Sequence, residues 1–355
     1  MNKTSIEYLD YTWSPLAMRC TPVSEGCAHC WNLRMADRLA KNPSFSDDVR
    51  AAYAGDGPPV LVKERLEEPL RRKKPAVIGV QLMGDLGHED VPSRVLLLIM
   101  DVMASCPQHT FLLLTKRPQD FFHRLHEAVM WIPANECVAA QYWIGVERRL
   151  PDWVWPGVTV ENQDSVWRID ELLKIPAAKH WVSLEPLLSA IDFKEQKPPC
   201  SHKGCYHHVS HPCEGCGRVQ GFIPLHLLGG IVVGGESGPG ARPMYPDWAR
   251  GIRDDCVEAG VPYTLKQWGE WAPEEAISEN DRIVAGANDR WGTVDLDGRL
   301  WELTTPWTSI DLQTGETTKD PEEVVMWRVG KKAAGRELDG QVWDQWPWNV
   351  IGREK

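Results

Sequence analysis

The chain has 355 residues, 43% of them apolar and 25% charged, and its 39 basic against 50 acidic side chains leave a net charge of −11. The length suits two domains of about 150 residues or one large α/β barrel with appendages. The acidic balance argues against a protein that coats nucleic acid by charge alone, although Arg71-Arg72-Lys73-Lys74 and Lys116-Arg117 leave room for a local basic groove.

The longest apolar run, near Val95–Met100, is too short to cross a bilayer, and Met1–Ser5 carries no apolar signal core. The expectation is therefore a cytoplasmic protein with no membrane association. A first strand is predicted at about Ile6–Trp13, followed by a loop bearing Cys20, Cys27 and Cys30. Apolar runs then recur at Val77–Gly84, Phe111–Thr115, Gly157–Val160, Trp181–Leu184, Gly230–Val233 and Val261–Leu265. Runs this short and continuous suit strands buried on both faces, as in a parallel sheet. Helical stretches fall between them at Pro92–Ala104, Ser165–Lys174 and Pro246–Ala259, the last stopped by Gly260. Strands alternating with helices predict βα units and an α/β class. Asp85, Lys116, Glu161, Glu185, Glu236 and Lys266 follow the runs, where a parallel barrel places its active site.

The segment 194–221 interrupts the alternation with Cys200, Cys205, Cys213, Cys216 and His202, His207, His208 and His211, and reads as an inserted knuckle. After Trp271 the pattern breaks into short pieces with turns at Asp297-Gly298 and Thr314-Gly315, predicting a small, partly β appendage. The domains expected are a barrel over 1–275, with 194–221 inserted in it, and a Trp-rich appendage over 276–355. Nine of the 18 tryptophans lie at or beyond Trp268. Trp343, Trp346 and Trp348 are expected to pack that appendage onto the barrel rather than to stack bases.

Ten cysteines in a cytosolic chain read as metal ligands or reactive thiols before disulfides. Cys106, Cys137 and Cys256 are scattered and read as small buried hydrophobes. Cys20-x6-Cys27-x2-Cys30 offers three thiolates, one short of a structural zinc, and the adjacent His29 is poorly placed to add a fourth. Three thiolates suit a 4Fe-4S cluster with one iron open to chelate S-adenosylmethionine. A zinc completed from elsewhere in the chain, or buried thiols, is the alternative. Cys200, Cys205, Cys213 and Cys216 have tetrahedral spacing and read as a structural zinc before a second cluster. Gly234, Gly235, Glu236 and Ser237 follow a strand and could admit a nucleotide cofactor, or simply make a tight turn. Asp85 with His88-Glu89-Asp90 could be an acid–base or metal group, or an acidic helix start. Glu161 and Glu185 could hold substrate, or be buried partners of Lys116 or Lys266.

Several motifs together resemble one family. They are Trp13-Ser14-Pro15, Cys20-Thr21-Pro22-Val23-Ser24-x-Gly26-Cys27-x-x-Cys30, Met83-Gly84-Asp85-Leu86-x-His88-Glu89-Asp90-Val91-Pro92 and Leu114-Thr115-Lys116-Arg117-Pro118. Gly157–Gln163, Glu185-Pro186-Leu187-Leu188, Val233–Pro243, Lys266–Trp271 and Arg328–Gly335 complete the set. The chain resembles the phage-associated three-Cys-motif family, a domain of unknown function that looks like a divergent radical S-adenosylmethionine group. The resemblance implies a partial TIM-type (β/α) barrel, a 4Fe-4S cluster on Cys20, Cys27 and Cys30, and S-adenosylmethionine near Gly234, Gly235, Glu236 and Ser237, with His29 stacked on its adenine. A substrate would lie among Asp85, Lys116, Glu161, Glu185 and Lys266, where a 5′-deoxyadenosyl radical takes hydrogen from it.

The implied partners are a DNA or nucleotide substrate, an electron donor such as flavodoxin or ferredoxin, and a three-Cys-motif partner protein, in host cytoplasm if the gene is phage-borne. The implied reaction is an isomerase- or lyase-type rearrangement of a modified thymine. The six-residue first gap departs from the three residues usual in radical S-adenosylmethionine enzymes. The rival expectations are a zinc-containing nucleic-acid-binding or nuclease-like protein, and a non-catalytic subunit that presents substrate to a partner enzyme.

Overall fold

The structure is a computed structural model; it describes residues 1–130, 137–144, 148–194, 223–286, 291–294, 300–301, 324–346 and 348. Seven parallel strands succeed one another in chain order: β1 (Tyr11–Trp13), β2 (Ala76–Val80), β3 (His109–Leu113), β4 (Gly157–Thr159), β5 (Trp181–Leu184), β6 (Gly230–Gly234) and β7 (Tyr263–Gln267). β1, β2 and β3 pair in one sheet and β4 to β7 in another. The two sheets are joined where Val154–Trp155 pairs with β3 just before β4 begins. Past the end of β3 the Thr115 amide donates to Gly157 O (3.0 Å), and the Thr159 amide donates back to Thr115 O (3.2 Å). The class is thus α/β with parallel sheets, as the alternating runs predict.

The helices that separate the strands are α1 (Trp31–Ala40), α2 (Asp47–Ala54), α3 (Ser93–Ala104), α4 (Pro118–Met130), α5 (Trp167–Leu173) and α6 (Pro246–Ala259). α6 has the predicted bounds, with Pro246 at its start and Gly260 left-handed (φ 67°) at its end. No helix among the described residues is long and apolar enough to cross a membrane.

Both faces of the strands are buried, and the period of two sorts their side chains. Ile78, Phe111, Leu113, Val182, Ile231 and Val233 belong to the main core with the helices. Their neighbours Val77, Leu112, Trp181 and Val232 meet in a second cluster with Tyr8, Leu9, Trp155 and Trp348. Strands as far apart as β2 and β6 therefore share one inner cluster.

Several boundaries differ from expectation by one or more residues, and three of the differences bear on the site. The first strand is only Tyr11–Trp13, because Asp10 turns inward to accept the Val77 amide (2.9 Å) and Tyr8 leaves the sheet for the inner cluster. β2 ends at Val80, since Gln81 is left-handed (φ 51°) and its amide side chain is bonded to Leu16 N and O. Lys266 lies inside β7 rather than beyond it.

The four knuckle cysteines and the histidines of 194–221 lie outside the described residues, as do the turns at Asp297-Gly298 and Thr314-Gly315. Within the appendage, Trp271–Pro273, Val324–Arg328, Trp291–Val294 and Leu300–Trp301 form an antiparallel sheet in that order. The chain then returns to the parallel strands. The Leu265 amide donates to Trp343 O (3.0 Å), the Gln345 amide to Tyr263 O (3.2 Å), and Trp348 Nε1 to Tyr8 O (3.0 Å). The expectation that the terminal tryptophans pack holds for Trp343, Trp346 and Trp348, and Trp348 enters the inner cluster itself.

Candidate functional site

The cysteine loop lies against the polar residues that follow the strands. Cys27 sits in a short 3-10 turn, Glu25–Cys27, and Cys30 immediately precedes α1. Gly26 is packed on Glu161, whose Cγ would stand 2.5 Å from an added Cβ. Glu161 is fully buried. It accepts Ser24 Oγ (2.8 Å) and Arg168 Nη1 (2.7 Å), and it pairs with Lys116. Lys116 Nζ lies 3.1 Å from Ser24 Oγ and 3.4 Å from Cys27 Sγ. One carboxylate beyond β4 and one ammonium beyond β3 thereby fix the centre of the loop. A substitution test follows: Gly26→Ala forces its methyl into Glu161 and is expected to cost about 1–3 kcal/mol, read as a lower midpoint in urea.

Asp85 holds the other side. It is 4% exposed and accepts Thr115 Oγ1 (2.6 Å), the amides of Gly87 (2.8 Å) and Lys116 (3.1 Å), and Arg117 Nη1 (3.1 Å). Arg117 then spans to Cys20 Sγ (3.7 Å) and to Thr21 Oγ1 (2.7 Å). His88 is buried, and the Asp90 amide donates to its Nδ1 (3.2 Å). Burial and the Arg117 charge lower its pKa, so the ring is neutral, with Nε2–H donating to Thr21 Oγ1 (2.9 Å).

Burial raises the Cys20 thiol, and Asp85 adds to this. At Cys27 burial acts the same way, but the Lys116 charge and hydrogen bonds at Val23 and Ser24 overcome it and bring the thiol below its ordinary range. The two thiols therefore differ in character: Asp85 beside Cys20 adds to the effect of burial, whereas Lys116 beside Cys27 outweighs it.

The glycine turn after β6 meets the same loop. His29 Nδ1 donates to Glu236 Oε2 (3.0 Å). Arg242 grips both oxygens of Glu236 through Nε and Nη2 (2.9 Å each) and reaches Glu25 Oε1 (2.8 Å). Burial would raise Glu236, but these bonds from Arg242 and His29 bring it below its usual value. Gly235 is required here because a Cβ would run into Trp268 O. Gln267 Nε2 donates to Ser237 Oγ (2.8 Å), and Gly234 leaves room for Glu185, whose Oε1 would be 2.8 Å from a Cβ there.

Glu185 and Lys266 form a separate pair (2.7 Å), 14% and 15% exposed at their side chains. Glu185 also accepts Ser183 Oγ (3.0 Å) and Tyr8 Oη (3.4 Å), and Lys266 stands 5.7 Å over the Tyr8 ring. Burial first, then the Glu185 charge, raises the Tyr8 phenol well above its usual pKa, so it stays a neutral donor. Both glutamate–lysine pairs weighed from the sequence are thus present. Sequence reasoning assigned no role to Ser24, Arg168, Arg242 and Tyr8: Ser24 and Arg242 lie within the quoted motifs, but all four gain a role only through contact.

Cys20, Cys27 and Cys30 are free thiols, and Cys106, Cys137 and Cys256 are buried as expected. A single zinc with bonds of about 2.3 Å draws its thiolates to within roughly 3.8 Å of each other. Among the described residues no three His, Cys, Asp or Glu side chains are grouped to hold one metal ion. A four-iron cluster is larger and spreads its thiolates further, and the donor set fits it in kind: three free thiols on one short loop, two with cationic neighbours.

No curated protein and no solved structure matches the chain. A family model described as "Protein of unknown function (DUF5131)" matches residues 3–347, nearly the whole sequence. The chain belongs to the DUF5131 family.

Proposed function

We propose that this chain is a radical S-adenosylmethionine enzyme built on a partial (β/α) barrel, with Cys20, Cys27 and Cys30 as ligands of a 4Fe-4S cluster. The observation that carries this reading is the union of two motifs 207 residues apart: His29 and Glu25 of the three-cysteine loop meet Glu236 and Arg242 of the glycine turn. A cluster loop and a cofactor-binding turn must face one cavity for this chemistry, and the apolar cluster shared by side chains of β2, β3, β5 and β6 supports the barrel reading. When bound, the cluster supplies the electron that cleaves S-adenosylmethionine and hence the carbon radical that takes hydrogen from a substrate.

The chain's own groups divide the remaining work. Lys116 and Arg117 place positive charge beside the Cys27 and Cys20 sulfurs. Asp85, Glu161 and Glu236 are saturated by partners and act by holding the loop and turn in place. Lys266 and Glu185 form the polar floor. An ammonium has three donors, and Glu185 is the one hydrogen-bonded partner found for Lys266 among the described residues, so the pair offers a donor beside a carboxylate acceptor. The lactam edge of a pyrimidine presents the complementary groups, which suits a modified thymine undergoing rearrangement. The reduced cluster needs a one-electron donor of the flavodoxin or ferredoxin kind. The spacing of Cys200, Cys205, Cys213 and Cys216 suits a zinc staple.

Electron paramagnetic resonance on anaerobically purified, dithionite-reduced protein tests the reading. A reduced-cluster signal that changes on adding S-adenosylmethionine is expected, and Cys27→Ala should lose both that signal and the loop's iron. Absence of iron, with zinc bound at Cys20, Cys27 and Cys30, would overturn it in favour of a zinc-containing nucleic-acid-binding protein.

A further inference from the structure

We infer that the outer face of α1, carrying Trp31, Arg34 and Arg38, is a docking surface for single-stranded nucleic acid, which it leads to the site beneath the cysteine loop. At 100° per residue these three side chains fall within an arc of about 60°, and Arg34 and Arg38 are about 6 Å apart along the axis. All three are exposed, while Asn32 and Ala36 on the opposite face are buried. Trp31 is 50% exposed directly after Cys30, an unusual display for an indole on a helix with an apolar inner side.

The arginines stand apart from others on this surface. Arg19 pairs with Asp37, Arg50 with Asp47, and Arg250 with Asp247, Glu275 and Asp339. Among the described residues no ion pair involves Arg34 or Arg38. The face is also continuous with the site. The Arg34 guanidinium lies at the glycine turn, where its Nη2 would be 2.5 Å from a Cβ on Gly238, and the same turn carries Glu236, the partner of His29 and Arg242.

Two arginines without an ion pair among the described residues, carried about 6 Å apart along the helix axis, match roughly two nucleotides of rise along one strand. A projecting indole beside them offers the flat face on which an unpaired base stacks. An acidic protein would satisfy the arginines but not the indole. A long duplex is disfavoured by the net charge of −11 and by having its base faces already stacked. The surface therefore accounts for a strand whose target base is delivered unstacked. The inference rests on the proposed function only for what happens to that base, because strand binding itself needs no cluster.

The test is fluorescence anisotropy of labelled 12-nucleotide oligothymidylate and oligouridylate with the full-length protein across a salt series. Saturable binding to at least one strand is expected, and the tighter of the two identifies DNA or RNA as its source. Arg34→Gln with Arg38→Gln should weaken binding at least tenfold at low salt and reduce the log–log salt slope by about 1.4, which is two contacts at about 0.7 each. Trp31→Ala should weaken it about tenfold or more, and Trp31→Phe should retain most of the affinity. No saturable binding to either strand, or a salt slope unchanged in the double variant, sinks the inference. So does displacement by polyglutamate at equal charge, which would assign the face to an acidic protein. Binding without iron would leave this surface standing while the proposed chemistry fell, and iron with cofactor cleavage but no strand binding would do the reverse.

Discussion

Glu161→Gln is expected to destabilise the protein by about 3–5 kcal/mol, because it leaves the Lys116 and Arg168 charges buried without their shared carboxylate. The side chains of Arg168 and Lys116 are only 5% and 18% exposed, and Glu161 has no exposure at all, so water cannot replace the lost partner. At about 2–3 °C per kcal/mol for a fold of this size, the melting temperature should fall by roughly 6–15 °C. Adding Lys116→Gln to that variant removes one stranded charge and should recover part of the loss, which a simple packing defect would not do. A fall below about 1 kcal/mol would mean that the three groups do not act as one unit.

The same substitution should loosen the cysteine loop. Ser24 loses a charged acceptor and Lys116 its carboxylate anchor, so limited proteolysis between Cys20 and Cys30 should quicken. The pH dependence has a defined sign. Burial opposes ionisation of Glu161, but Lys116 and then Arg168 hold its carboxyl below the ordinary 4.5. A carboxyl lowered in the folded state binds its proton more tightly once unfolded. Its stabilisation is therefore complete above that ordinary value and is lost as pH falls through the folded value. The wild-type acid limb should be steeper than that of Glu161→Gln.

The strands and helices were legible because their signals are local. Trp181–Leu184 and Pro246–Ala259 are delimited by composition and by breakers within a few residues, and the structure reproduces both. The candidate site was legible as a list of residues but not as a set of partnerships. Asp85 and Glu161 look like free acids in the sequence, and only folding brings Arg117 and Arg168 to them. Lys266 was expected past a strand end and lies inside it, with its ammonium over the Tyr8 ring. Tyr8 itself looked like part of a strand. Its departure from the sheet depends on tryptophans more than 330 residues away, which no local pattern can announce.

Trp348→Ala should be the most damaging change far from the cysteine loop, at about 3–5 kcal/mol for emptying a buried aromatic site. Trp348 is 5% exposed and touches the rings of Tyr8, Trp155 and Trp181 at centroid separations of 5.6–5.8 Å. It also donates Nε1–H to Tyr8 O. The cost should not stay local. Tyr8 Oη bonds Glu185 and its ring underlies Lys266, so a Tyr8 that sinks into the vacated space withdraws support from the floor pair. Trp348→Phe keeps most of the buried ring and gives up the hydrogen bond, so its cost should be nearer 1–2 kcal/mol. Thermal unfolding of the three proteins gives the ranking. An alanine variant as stable as wild type would show that the tail merely rests on the strands and that the inner cluster closes without it.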